Sequence, residues 1–333
     1  MKILLVKLSS LGDVVHAMPA LQDIRQALPH ANLDWVVEGA FAPLVQRCEG
    51  VGRVIASELR RWRKAPLAAQ TRSEWRVFRD QLRRDAYDAV IDLQGLTKSA
   101  LVARAARLAP GGKRYALANQ TEGSSWEVAT RWVAHIALRM EPHVHAVQRS
   151  RALCAAALGY ELPASLHYGL KPQPAVETSA ASAAAARTVV LVHGSSRDDK
   201  RWPDAHWHRF ALRLIAGGWT IALPHGSDEE RERSEGLAAL LGPRAAVWPR
   251  LGLGALADRL AQSAGVVGVD SGLSHIASAL DCRHVQIYNF DTAWRTGPLS
   301  PAGSDPLRQL SVFAQPTPGV DAVWDAWQRV SAR

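Results

Sequence analysis

Cysteine is scarce in this chain. Cys48, Cys154 and Cys282 are the only three in 333 residues, and no two lie close in sequence. A disulfide framework needs paired cysteines in a short secreted chain, and a structural zinc site needs a CxxC pair or a His/Cys cluster. Neither pattern is present, so a reducing compartment is expected. Long apolar runs are missing as well: no uncharged stretch approaches the roughly 18 residues that a membrane-spanning helix requires. The opening run Met1–Val6 is too short for a signal-peptide core, and Lys7 closes it. The GxGxxG turn that cradles a dinucleotide is absent after the first strand, which counts against a nicotinamide or flavin enzyme. The GxSxG elbow is absent too, which counts against a serine hydrolase.

What is present is a folded-protein composition with a basic excess: 47% hydrophobic residues, 21% charged, and 40 Lys+Arg against 31 Asp+Glu, a formal charge of +9. At about 150 residues per domain the length points to two domains. The excess sits almost entirely in the first half. Residues 58–84 alone hold nine basic and three acidic side chains, so something negative is expected to dock there: nucleic acid, an anionic membrane surface or an acidic substrate.

Short β-branched runs alternate with longer helical segments, the pattern of βα units and parallel sheets. Strands are predicted at 3–8, 33–37, 53–55 and 89–93, then at 188–193, 220–223, 266–269 and 285–288. Helices are expected to begin near Asp13, Phe41, Ala68, Lys98, Ser124 and Val144, and in the second half near Pro203, Asp228, Gly254 and Ser274. The Pro-, Ala- and Ser-rich stretch 171–186 lacks apolar periodicity and reads as a linker. It separates a domain over 1–170 from one over 187–315. The segment 316–333 contains an amphipathic helix over 320–330 with Val323, Trp324, Trp327 and Val330 on one face, free to pack back on the first domain. The fold class expected is α/β, two doubly wound Rossmann-like domains facing a central cleft, with ligands at the carboxyl ends of the strands.

Three stretches carry chemistry. Lys7-Leu8-Ser9-Ser10-Leu11-Gly12-Asp13 joins the first strand to the first helix. Gly12 permits a tight turn, the serines expose donors, and Asp13 is placed either to accept a proton from a substrate hydroxyl or simply to cap the helix. His193-Gly194-Ser195-Ser196-Arg197-Asp198-Asp199-Lys200-Arg201-Trp202-Pro203 occupies the equivalent turn of the second half. Its hydroxyls and cations suit a diphosphate, with Lys200 on the leaving phosphate; the alternative is a solvated loop with local ion pairs. Gly268-Val269-Asp270-Ser271-Gly272-Leu273-Ser274-His275 again runs from strand to helix, where the amides of Ser271, Gly272 and Leu273 can meet an anion. A fourth stretch, Arg60-Arg61-Trp62-Arg63-Lys64, has the character of a phosphate or carboxylate clamp, or of a solvated helix face.

With these residues in place, the chain resembles the bacterial lipopolysaccharide heptosyltransferases, inverting glycosyltransferases of family 9 with the GT-B fold. The likeness spans nearly the whole chain: the opening KxSSxGDVxH, Asp34-Trp35-Val36-Val37-Glu38, RRWRK at 60–64, Asp92-Leu93-Gln94-Gly95-Leu96 with Lys98-Ser99, RDDK-x-WP at 197–203, and the DSGLSH run at 270–275. The RRWRK and RDDK stretches are those of the enzymes adding the first heptose rather than the second. The resemblance implies transfer of L-glycero-D-manno-heptose from ADP-heptose to the first Kdo of Kdo2-lipid A. It implies Asp13 as general base and Lys200, Ser195 and Ser196 around the diphosphate and heptose. Asp270, Ser271, Gly272, Leu273 and His275 correspond to the donor pocket, and Glu230 to an adenosine ribose contact. Ser10, Gly12, Arg60, Arg61 and Lys64 fall on the acceptor side, with Lys7, His145 and Arg149 near the cleft. One departure stands out: after Tyr288 the family continues with Gly and a TxP-like turn, whereas this chain has Asn289-Phe290-Asp291-Thr292-Ala293-Trp294.

An inverting transferase needs one carboxylate base and a cationic pocket for the departing diphosphate, so neither metal nor cofactor is expected. The expected partners are ADP-heptose, Kdo2-lipid A and the anionic cytoplasmic face of the inner membrane, for a monomer with no nucleic-acid partner. A related transferase for another nucleotide sugar is the alternative; a basic nucleic-acid binder would want aromatics interleaved with cations beyond Trp62 and Trp75.

Overall fold

The computed structural model describes residues 1–173 and 185–332. The chain divides into two units, Met1–Leu170 and Lys171–Arg333. The linker stretch 171–186 lies mostly outside the described residues.

The first unit is a six-stranded parallel sheet in the order β3-β2-β1-β4-β5-β6. The strands are β1 Lys2–Val6, β2 Asn32–Glu38, β3 Val51–Ser57, β4 Tyr87–Asp92, β5 Leu108–Leu117 and β6 Ile136–Leu138. Its longer helices are α1 Leu11–Ala27, α2 Ala69–Arg83, α3 Thr97–Ala105 and α4 Ala146–Leu158. The central strands read as unbroken apolar runs because a parallel sheet is covered on both faces. Ile3, Leu4, Leu5 and Val6 are all fully buried. A buried ion pair, Arg151 Nε to Asp23 Oδ2 at 2.7 Å, ties α4 to α1.

The second unit repeats the plan. Its strands are β7 Thr188–Val192, β8 Thr220–Leu223, β9 Ala245–Val247, β10 Gly265–Val269, β11 His284–Tyr288 and β12 Gln309–Phe313. They are ordered β12-β11-β10-β7-β8-β9, which is the first sheet's order counted from the unit's own first strand. Helices α5 Asp204–Ala216, α6 Asp228–Leu241, α7 Leu253–Gln262, α8 Gly272–Ala279 and α9 Val320–Ser331 accompany them. Trp202, Trp207, Phe210 and Trp327 anchor the core. The expectation that the terminal helix packs back on the first domain is corrected: the apolar face of α9, Val320, Val323, Trp327 and Val330, is buried in the core of the second unit.

Four strands lie outside the sequence-predicted set. β5 contains Pro110, Gly111 and Gly112 and pairs with β4 through a register shift, so its residues do not alternate cleanly. β6 and β9 are three-residue edges, and β12 is half exposed. Where helices were expected near Ser124 and Val144, a short helix Ala129–Val133 and then α4 follow. Among the described residues no helix is long and apolar enough to cross a membrane.

Candidate active site

In a doubly wound sheet the connections leave in opposite directions on either side of the first strand, and the loops at that switch point leave a crevice at the carboxyl ends of the strands. In the first unit the switch falls between β1 and β4, and in the second between β7 and β10. The loops following these four strands are Lys7–Ser10, Leu93–Leu96, His193–Pro203 and Asp270–Ser271. Three of the four stretches singled out in the sequence are therefore switch-point loops of the two sheets, while the stretch 60–64 follows the edge strand β3.

In the first unit Ser10 is the N-cap of α1, and Asp13 sits three residues on. Asp13 Oδ2 accepts from the Ser10 amide at 3.1 Å and from Ser10 Oγ at 3.0 Å, so the capping role is real. Its other oxygen has different company: Oδ1 lies 3.7 Å from Lys7 Nζ and 3.8 Å from Arg149 Nη2. Burial pushes the Asp13 carboxyl up, but the charges of Lys7 and Arg149 and the Ser10 bonds outweigh it and hold the group below the ordinary carboxylate range. Lys7 is 2% exposed, and burial pulls its ammonium down despite Asp13. Arg149 projects from α4 and also donates to Thr121 Oγ1 at 2.8 Å. Gly12 is a buried first-turn residue of α1. Two buried cations thus face one carboxylate.

A second loop holds this arrangement in place. Gln94 Oε1 accepts from the amides of both Leu8 and Ser9 at 3.0 Å, Lys98 Nζ donates to Ser9 Oγ at 3.0 Å, and Lys7 Nζ donates to the Leu93 carbonyl at 3.2 Å. Asp92 anchors the second loop by accepting from the amides of Gln94 and Gly95 and from Ser99 Oγ at 2.9–3.2 Å. Burial raises the Asp92 carboxyl to about 6 in spite of those bonds. Gln94 and Lys98 belong to a motif recognised in the sequence without a role; only the parallel pairing of β1 with β4 reveals one.

His145 serves as N-cap of α4, its Nδ1 accepting from the Val147 amide at 3.1 Å. The RRWRK stretch begins with a single helical turn, Leu59–Trp62. Arg61 is committed to Glu74 at 2.6 Å and lies 3.7 Å from Glu58, whereas Arg60 lies over the Phe41 ring and makes no ion pair among the described residues. Lys64 is exposed.

In the second unit Lys200 Nζ meets Asp270 Oδ2 at 2.5 Å, and His275 Nε2 lies 3.3 Å from Asp270 Oδ1. Burial alone would raise the Asp270 carboxyl, but His275 and Lys200 hold it well below the usual range. Ser271 caps α8, and its buried Oγ has no hydrogen-bond partner among the described residues. The first-turn amides at Gly272 and Leu273 have no intrahelical acceptor. Gly268 has a packing reason: a Cβ there would come within 2.8 Å of the Val192 Cβ and 2.4 Å of Ser274 Oγ. Ser195 and Ser196 lie on the loop after β7, and Glu230 reaches back toward it, bonding the Gly226 amide at 2.7 Å and filling the space a Cβ on Gly194 would need. Asn289, where the sequence departs from the family, anchors the Lys200 loop. Its Nδ2 donates to the carbonyls of Asp199 and Arg201, both at 2.9 Å, while Oδ1 accepts from Thr317.

A doubled Rossmann sheet with a clamped carboxylate at one switch point and a lysine beside a helix N-terminus at the other is the build of a GT-B glycosyltransferase. The comparisons with known proteins agree. A family model described as glycosyltransferase family 9 (heptosyltransferase) matches residues 75–307. Lipopolysaccharide heptosyltransferase 1 of Pseudomonas aeruginosa is 40% identical over 289 residues, covering 86% of this chain and 78% of that protein. The solved structure of E. coli heptosyltransferase WaaC with ADP matches with a TM-score of 0.85 at 33% identity, over 98% of both chains. The same enzyme with ADP-2-deoxy-2-fluoro heptose matches with a TM-score of 0.80 at 34% identity, again over 98% of both. This chain belongs to glycosyltransferase family 9, the heptosyltransferases.

Proposed function

We propose that the chain transfers L-glycero-D-manno-heptose from ADP-heptose to the first Kdo of Kdo2-lipid A, with inversion. The similarity to heptosyltransferase 1 and to a heptosyltransferase structure holding an ADP-heptose analogue supports this substrate pair. The observation that carries the mechanism is the Lys7–Asp13–Arg149 cluster. Asp13 takes the proton of the acceptor hydroxyl as its oxygen bonds to the anomeric carbon, and the bond from that carbon to ADP breaks with its electrons leaving on the diphosphate. Lys200 and the first-turn amides of α8 receive that charge, so on this reading no metal is required.

The two cations beside Asp13 have a further use. An acceptor carboxylate resting on Lys7 and Arg149 would offset their charge and return Asp13 toward ordinary basicity when substrate is present. Arg60 and Lys64 extend this positive surface outward, and Ser195, Ser196, Glu230 and Leu273 flank the donor. We place the working enzyme at the cytoplasmic face of the inner membrane, as a monomer, because its acceptor is a membrane lipid and its basic stretch suits an anionic leaflet.

The test is direct assay of ADP release with Kdo2-lipid A and ADP-heptose, beside UDP- and GDP-sugars. Turnover with ADP-heptose alone is expected; equal or faster turnover with another nucleotide sugar would overturn the donor assignment.

A further inference from the structure

The segment that carries most of the excess charge also lines an open apolar cavity of about 260 Å³. Leu59, Trp62, Pro66 and Trp75 wall it, and Arg63 and Arg72 stand on its lining. The indoles of Trp62 and Trp75 pack edge to face at 5.6 Å, and both pack on Phe78 at 5.5 Å. The polar edge of Trp62 is already satisfied, since its Nε1 donates to Glu74 Oε2 at 2.7 Å. The polar atoms of the wall therefore place little demand on a ligand, whereas the charges around it do: among the described residues neither Arg63 nor Arg72 makes an ion pair. Beside the cavity Leu67 is 83% exposed. An apolar hollow set among unpaired guanidinium groups selects a ligand with a hydrocarbon body and a negative head.

The cavity is also linked to the catalytic loop. Lys98, which holds Ser9, is lowered by burial and by the neighbouring charges of Arg60 and Arg63, with Glu38 and Glu127 opposing them, so three cations interspersed with two carboxylates lie between the Asp13 loop and the cavity wall. We infer that the cavity takes one acyl chain of the anionic lipid acceptor, whose headgroup lies along those cations toward Asp13. The inference rests on the acceptor reading above, and it names a hydrocarbon subsite that sugar chemistry alone would not require.

Transfer to an acylated acceptor is compared with transfer to the same acceptor stripped of its acyl chains. Burial of as few as two methylenes gives about a tenfold higher kcat/KM for the acylated form. Thr71→Phe, which fills the cavity from its α2 wall, brings that ratio toward one, with circular dichroism reporting that the variant is folded. Independently, dodecyl phosphate brominated along its chain, below its micelle concentration, quenches tryptophan fluorescence saturably, and Trp75→Phe reduces the quenching. Equal use of both acceptors together with no saturable quenching overturns the inference. Indifference to acylation combined with binding to phosphatidylglycerol vesicles that Thr71→Phe abolishes also overturns it, by assigning the cavity to bilayer lipid. If neither acceptor receives heptose but dodecyl phosphate binds saturably, the acceptor reading fails while the anionic hydrocarbon subsite stands.

Discussion

The two units share one strand order and use the same pair of loops, yet their sites are charged differently. In the first, Lys7 and Arg149 both approach the carboxylate of Asp13, and Lys98 bonds Ser9 in the loop that leads to it. In the second, Lys200 is matched by Asp270, and His275 completes the set. A carboxylate approached by two buried cations changes its proton affinity when a further anion arrives beside them. A site whose charges are already paired keeps its lysine ordered and relies on placed donors, here a helix N-terminus and the Ser271 hydroxyl. On the proposed reading, one strand order carries a proton-transfer site in one half and a leaving-group site in the other, and the difference lies in a handful of side chains.

Removing Asp13 is the strongest way to break this contrast. Asp13→Asn should lower kcat about a thousandfold, measured as ADP release, with ADP binding intact. Because the Asp13 carboxyl is held low, the acid limb of kcat/KM should fall below the ordinary carboxylate range; its stabilising effect is full above that range and is lost as pH falls through the depressed value. Lys200→Ala should cost about a hundredfold or more in kcat/KM and weaken ADP binding in calorimetry, since it also leaves Asp270 with His275 alone. Lys200→Arg should recover part of the loss. Gln94→Met, close in shape but without an acceptor, should lower kcat about tenfold with little change in donor KM, and lower the melting temperature because two amides lose their partner. Arg60→Ala with Lys64→Ala should raise the acceptor KM several-fold, about what loss of two exposed charges gives, and leave donor affinity alone. The smallest effect concerns Asp92. Its raised carboxyl favours the folded state fully below the ordinary range, and that contribution is lost as pH rises through about 6, so Asp92→Asn should flatten the stability profile between about pH 4 and 6.

Much of this was legible in the sequence for a physical reason. Central parallel strands are continuous apolar runs, and glycine, serine and aspartate mark the turns that follow them, so β1, β7 and β10 and their loops could be placed within a residue or two. The strands at and next to the edges carry less of that signal: the edge strands β6 and β9 are too short, and β5, beside β6, is broken by Pro110 and two glycines. The local part of the site was equally accessible, since Ser10 and Asp13 are three residues apart. Its long-range part was not. Arg149 reaches Asp13 from α4, Gln94 reaches Leu8 across 86 residues, and Asn289 reaches Asp199 across 90. Nothing in the neighbourhood of those residues announces a partner. The basic run at 60–64 showed the opposite limit: its four cations read as one cluster, but Glu74 lies far enough along the chain to neutralise Arg61 unnoticed.

The Gln94 clamp has a consequence for the order of assembly. The amides of Leu8 and Ser9 find their acceptor only on a side chain that follows β4, so β1 and α1 can form while the loop between them still exchanges its protons with water. The loop that leads into Asp13, the base of the proposed reaction, therefore closes only after β4 has docked on β1. Hydrogen exchange at two backbone positions, Leu8 and Ser9, reports when a nascent or partly opened chain has become an enzyme.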